Sequence, residues 1–343
     1  MSDAQLGQAG PPPGFLAATS IAPSDTSTSV LLSPASHPQI EVGRVPVSTH
    51  ADIAYAARER PDGTTRQLLL DLLVPETVKA LVVYLPGGGF VRAAKEAGLH
   101  RRTFVAEAGY AVASVEYRTV LDGATYRDAV ADVRSAIRYL RARAEEYGIN
   151  AAKVAVWGES AGGYLAAMTG ATSTKTAYDT PDNAAYSSEV DAVIDQFGPS
   201  DLLRLGEDFD PAFQAQHLAP GSPAARFVFG PGAPISLADD PVAVAAADPV
   251  TYIDSTAPPF LIFHGNADRI VSSSQTQLLH EALRAKGVRS TRYVVEGADH
   301  GDLAVMLGNP EAGLPWSTQE LLGYVVDFLD QELSRPSTSV SLD

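Results

Sequence analysis

Residues 154–167, VAVWGESAGGYLAA, constrain this chain more than any other stretch. An apolar run with strand character passes directly into Gly158-Glu159-Ser160-Ala161-Gly162, and an alanine-rich helical pattern follows without a linker. A chain that goes from strand to helix so abruptly must turn sharply at the serine. Gly158 and Gly162 leave room for a strained backbone, Gly163 extends that allowance, and Ser160 projects above the edge of a sheet. The backbone N–H of Ala161, at the helix start, points toward any negative charge that develops nearby. A tight turn with an incidental serine would carry the same letters, so the decision rests on distant parts of the chain.

Those parts repeat one theme. RQLLLDLLVP (66–75), KALVVYLP (79–86), GYAVASVEYR (109–118), KVAVW (153–157), VDAVIDQF (190–197), PPFLIFHG (258–265) and TRYVVEG (291–297) read as strands. Between 126 and 148, Val130, Val133, Ile137 and Leu140 recur at steps of three and four before a glycine, which predicts an amphipathic helix. Further helical stretches cover 160–170, 273–287 and 317–334. Apolar strands alternating with helices predict an α/β protein: a mostly parallel, doubly wound sheet with helices on both faces.

Two segments stand apart. Residues 1–45 are rich in Pro, Ser, Thr and Ala, yet carry Phe15, Leu16, Ile21, Val30, Leu31 and Leu32, which reads equally as an arm that packs in places or as a disordered leader. Residues 199–257 are too many for a simple crossover. Leu202, Leu203, Leu205, Phe209, Phe213, Leu218, Phe227 and Phe229 within them predict a cap that folds on the 46–334 domain. Residues 335–343 read as a tail.

Composition narrows the chemistry. The formal net charge of -16 opposes binding to nucleic acid or an anionic membrane. With no cysteine, thiolate nucleophiles and cysteine-held zinc are excluded. No basic leader and no long apolar run occurs, which makes a cytoplasmic location the default expectation. No cluster has metal-ligand spacing and GGG lacks the lysine of a phosphate loop, so no metal and no cofactor is expected.

A serine hydroxyl is a weak nucleophile unless a base takes its proton and donors stabilise the resulting oxyanion. Both are readable. Gly87, Gly88 and Gly89 follow an apolar strand, and glycines let main-chain N–H groups approach a substrate closely. Asp268 lies just past one strand and His300 just past the next, in the order Ser, Asp, His that a serine elbow on such a sheet calls for. His300 would take the Ser160 proton, and Asp268 would orient the imidazole and stabilise its charged form.

With PGGGF, SVEYR, DVRSAIRYLRARAEEYGI, VAVWGESAGGYLAA, QFGPSDL, DPVTYIDSTAPPFLIFHGNAD and VVEGADHG in view, the chain resembles the α/β-hydrolase superfamily over residues 45–334. Within it, the chain is similar to the carboxylesterase branch that includes hormone-sensitive-lipase-like enzymes and bacterial feruloyl and acetylxylan esterase-like enzymes. The resemblance implies Ser160, Asp268 and His300 as the triad, and the N–H groups of Gly88, Gly89 and Ala161 as the oxyanion hole. It also implies that Tyr117 and Arg118 support the oxyanion loop. The family's usual histidine before the glycines is replaced by Pro86, whose locked φ is expected to fix the loop. Glu159 is expected to turn away and brace neighbouring backbone, His264 to be packing, and Asp299 and Asp302 to be exposed loop acids of little effect.

The expected activity is that of a serine carboxylesterase for small or medium acyl or aryl esters. Amide, formamide or lactone hydrolysis, or acyl transfer, would use the same groups. A non-catalytic binding protein is a third reading, weakened because all three triad members are present. Oligomeric state stays open, a homo-oligomer included.

Overall fold

The computed structural model describes residues 17–34 and 37–333. Nine strands form one sheet: β1 (Val30–Leu32), β2 (Val47–Glu59), β3 (Thr65–Pro75), β4 (Ala80–Leu85), β5 (Tyr110–Val115), β6 (Val154–Glu159), β7 (Ala192–Gln196), β8 (Phe260–Gly265) and β9 (Ser290–Val295). Their spatial order is β1-β9-β8-β7-β6-β4-β5-β3-β2. Every pair from β1 to β5 is parallel, and β3 and β2 close that edge as antiparallel strands. The mostly parallel sheet expected from the sequence is therefore present, with an antiparallel hairpin at one end.

The helices are α1 (Leu99–Glu107), α2 (Tyr126–Ala142), α3 (Ala161–Ala171), α4 (Pro211–Leu218), α5 (Pro223–Phe229), α6 (Pro241–Ala245), α7 (Pro249–Tyr252), α8 (Ser274–Ala285), α9 (Leu303–Met306) and α10 (Gln319–Leu333). Alternate residues of β4 divide between two cores: Leu81, Val83 and Leu85 pack with α2, α3 and α8, while Val82 and Tyr84 pack with α1 and α10. That division is why the central strands are apolar on both faces. Val130, Val133, Ile137 and Leu140 of α2 are fully buried, each contributing about 1.5–3 kcal/mol relative to exposure. The helix ends at Ala142, earlier than its periodicity suggests, and the chain reaches Gly148 through turns, with that glycine at φ 63°.

The sequence pattern does not predict strand β2. Most of VSTHADIAYAARE is exposed, so it lacks an alternating apolar face, and its pairing to β3 supplies what its side chains do not. The arm contributes β1 to the far edge, and its Ala18 and Ile21 pack on Phe209 and Phe213. Phe15, Leu16 and the tail 335–343 lie outside the described residues.

Residues 199–257 fold into short helices with local start signals. Asp210, Ser222 and Asp240 accept hydrogen bonds from first-turn N–H groups of α4, α5 and α6, each followed by proline at the first helical position. Leu202, Leu205, Phe209, Phe213 and Phe227 of this segment are buried. Among the described residues, no helix is long and apolar enough to cross a membrane.

Candidate active site

The β6–α3 junction forces Ser160 to φ 55° and ψ −120°, a conformation that L residues adopt only under constraint. The constraint is steric. A Cβ at Gly158 would overlap the carbonyl of Gly162, and a Cβ at Gly162 would overlap the carbonyl of Leu85. The turn is fastened by the Ser160 N–H, which donates to the Gln196 carbonyl at 2.9 Å. Ser160 thus stands at the carboxyl edge of the sheet, where the sequence puts it.

The loops after β8 and β9 bring Asp268 and His300 to the same edge. His300 Nε2 is 2.8 Å from Ser160 Oγ, and His300 Nδ1 is 2.7 Å from Asp268 Oδ2. A carboxylate only accepts, so Nδ1 carries the proton and Nε2 presents its lone pair to the serine hydroxyl. The other carboxylate oxygen of Asp268 accepts from the N–H groups of Ile270 and Val271 at 2.8 and 2.9 Å. Burial alone would raise this carboxyl, but the charge of His300 and hydrogen bonds from His264 and His300 hold it well below the usual carboxylate range.

The glycine loop faces the serine. Gly88 and Gly89 have φ of 155° and 60°, and a Cβ at Gly87 would come within 2.9 Å of the Glu159 carbonyl. The N–H groups of Gly88 and Gly89 donate no hydrogen bond among the described residues, and that of Ala161 is the first of α3, without a partner inside the helix. Tyr117 Oη donates to the Pro86 carbonyl at 2.6 Å, and the Val120 N–H donates to the Phe90 carbonyl at 3.0 Å. The loop is therefore held from Tyr117 and Val120. Arg118 does not reach it, because its guanidinium pairs with Asp132 of α2 at 2.7 and 2.9 Å.

Several flanking groups differ from expectation. Glu159 does not brace backbone; it makes a two-pronged pair with the buried guanidinium of Arg101, both contacts at 3.1 Å. The same arginine reaches the exposed Asp302 at 2.8 Å. Asp299 is fully buried rather than an exposed loop acid. Its Oδ1 accepts from the N–H groups of His300 and Arg269 at 2.8 and 3.1 Å, and its Oδ2 accepts from Arg269 Nε at 2.7 Å. Since Arg269 follows Asp268 and Asp299 precedes His300, this pair ties the two loops together beside the Asp268–His300 bond. His264 is buried but more than packing: its Nε2 lies 3.0 Å from the Val271 carbonyl and 3.3 Å from Asp268 Oδ2. Its position four residues before Asp268, at the end of the strand that leads into that loop, is the signal in the sequence that could have found it.

Two cavities meet at Ser160. The smaller, about 80 Å³, is walled by Phe90, Leu205, Pro223, Ala224, Ile270 and Val271. The larger, about 470 Å³, is lined by Gly87, Gly88, Phe197, His300, Leu303 and Met306, among others. Leu205, Pro223 and Ala224 come from the 199–257 segment, so that segment shapes the smaller cavity. Among the described residues, no three His, Asp or Glu side chains cluster to hold a metal ion.

Comparison with known proteins agrees with this architecture. The BD-FAE family matches residues 70–283, more than half of the chain. Esterase LipC of Mycobacterium tuberculosis is 27% identical over 230 residues, covering 66% of this chain and 54% of LipC. The chain thus spans about half the length of that relative. A truncated carbohydrate esterase from gut microbiota superposes with a TM-score of 0.68 at 21% identity, covering 87% of this chain and 100% of that one. A thermophilic esterase from Thermogutta terrifontis, propionate-bound, superposes with a TM-score of 0.60 at 25% identity, covering 85% of this chain and 96% of that one. The sheet order, the two helical layers and the match across residues 70–283 lead to one assignment: the chain belongs to the BD-FAE family and has the α/β-hydrolase fold.

Proposed function

We propose that this chain is a serine carboxylesterase that hydrolyses small or medium acyl or aryl esters through an acyl-enzyme on Ser160. The observation that carries the reading is the unbroken series from Ser160 Oγ to His300 Nε2 at 2.8 Å and from His300 Nδ1 to Asp268 Oδ2 at 2.7 Å. In this reading His300 takes the hydroxyl proton as Oγ attacks the ester carbonyl, and Asp268, held as a carboxylate, stabilises the imidazolium. The N–H groups of Gly88, Gly89 and Ala161 receive the developing oxyanion, each worth about 2.7–4 kcal/mol of barrier in comparable sites. His300 returns the proton to the departing alcohol, then activates water to free the acid and restore Ser160.

The relatives named as esterases support the choice of ester over other acyl compounds. The test compares hydrolysis of short p-nitrophenyl esters by the wild type and by Ser160→Ala. Activity in the wild type that falls by several orders of magnitude in the variant is expected; no wild-type activity, or undiminished activity in the variant, would sink the proposal.

A further inference from the structure

Ser160 lies at the junction of two unequal cavities, and the path of one proton tells them apart. When the tetrahedral adduct collapses, the bond from the carbonyl carbon to the alcohol oxygen breaks, the bond to Ser160 Oγ remains, and the proton on His300 Nε2 passes to the departing oxygen. That oxygen must therefore lie on the His300 side of the serine. His300 lines the larger cleft, whereas the smaller cavity is bounded by Ala161, Phe90 and the 199–257 segment. Resting on the ester-hydrolase reading, we infer that the larger cleft receives the alcohol and the smaller cavity receives the acyl group, so that the preferred substrates are short-acyl esters of bulky apolar or aryl alcohols.

Volume decides the acyl class. A cavity of about 150 Å³ holds a benzene ring, and a group the size of water occupies about 30 Å³. At about 80 Å³, the acyl side takes two or three carbons beyond the carbonyl and rejects an aromatic ring. Its walls are stiff except at the rim, where Gln216 is exposed and His217 half-buried. Phe90 stacks on Phe227 with ring centroids 4.3 Å apart, Leu205 is buried, and Ile270 and Val271 are fixed by their N–H bonds to Asp268. Aryl recognition thus moves to the leaving-group side. There the carboxylates of Glu159 and Asp302 are engaged by Arg101 and that of Glu96 by Lys95, so the cleft offers Phe197, Leu303 and Met306 as apolar contact beside the exposed Arg92 guanidinium, a combination that suits an aryl group.

Two substrate series on the full-length wild type test this. With p-nitrophenol held constant as the alcohol, kcat/KM is expected to be highest between acetate and butyrate. It should fall by about tenfold or more for hexanoate and for benzoate, since a group that no longer fits costs 1–3 kcal/mol. With acetate held constant, kcat/KM should rise from phenyl to 2-naphthyl to 4-biphenylyl esters, whose phenols are of matched acidity. Leu205→Ala should move the acyl optimum upward by one or two carbons, with its melting temperature reporting any loss of folding. Benzoate or hexanoate turned over as well as acetate, or a fall in kcat/KM as the aryl alcohol grows, overturns the assignment. Absence of hydrolysis across both series sinks the ester-hydrolase reading itself and is distinguishable from either result.

Discussion

Replacing Asp299 by asparagine separates a group that holds the site in shape from one that only stabilises the fold. Asp299 is fully buried and accepts three hydrogen bonds, from the N–H groups of His300 and Arg269 and from Arg269 Nε. Asparagine keeps one acceptor for the backbone donors but turns an N–H toward the guanidinium, so a charge-assisted bond worth about 1.5–3 kcal/mol is lost. The Arg269 side chain is 28% exposed, so water recovers part of its charge and the full penalty of about 3–5 kcal/mol for an orphaned buried ion is not reached. A loss of about 2 kcal/mol is expected, lowering the melting temperature of a chain this long by about 3 °C. A kinetic effect of similar size is expected, because the same pair spaces Asp268 from His300. A displacement of the base of about 1 Å costs on the order of 100-fold, so kcat should drop by roughly 10–100-fold, with KM moving less than about twofold. Steady-state hydrolysis of p-nitrophenyl acetate well below the melting temperature, alongside a thermal melt, reads both. An unchanged kcat with a lowered melting temperature would refute the positioning role, as would a rise in KM at constant kcat.

Two further outcomes follow from the packing. Gly162→Ala puts a Cβ onto the Leu85 carbonyl, and since backbone on both sides cannot give, circular dichroism melts should show a loss of about 1–3 kcal/mol or more together with loss of hydrolysis; a variant as stable and active as the wild type contradicts the close approach of α3 to β4. Burial pushes the Asp195 carboxyl up to about 7 and that of Asp248 up to about 8. The unfolded chain releases these protons near pH 4, so between about pH 4 and 7 the folded state binds more protons and stability falls as pH rises, by about 1.4 kcal/mol per unit for each group. Burial holds the His217 imidazole down to about 4, which gives an opposing slope below about pH 6.5, so the reading is the difference between the wild type and Asp195→Asn: by urea unfolding between about pH 5 and 7 the variant should lose less stability as pH rises, and a difference that stays flat over the window is the contrary result.

What the sequence disclosed follows from where its information is local. The strands β4 to β8 are mostly apolar because each is buried along its whole length, and each candidate site residue sits just past one of them or past β9, so position along the chain predicts position in space. The strand β2 carried no such signal, being held by backbone pairing with mostly exposed side chains. The site's supporting pairs were equally silent. Glu159 with Arg101 and Asp299 with Arg269 join residues on different loops and helices, and neither partner reveals the other without the fold. The expectation that Asp299 was a solvated acid failed for that reason. Tyr117 was placed by resemblance alone, and its bond to the Pro86 carbonyl gives that expectation its physical content. Why proline stands at 86 has no account in the geometry beyond that carbonyl.

The proposed activity stands or falls with Ser160 as the nucleophile that His300 activates. The most direct measurement is covalent labelling with a fluorophosphonate probe, followed by mass spectrometry of the digested protein. One adduct is expected, on the peptide containing Ser160, with loss of hydrolysis in proportion to labelling and no adduct in Ser160→Ala or, at comparable times, in His300→Ala. Labelling at another residue, or a protein that hydrolyses esters while Ser160 stays unmodified, would contradict it.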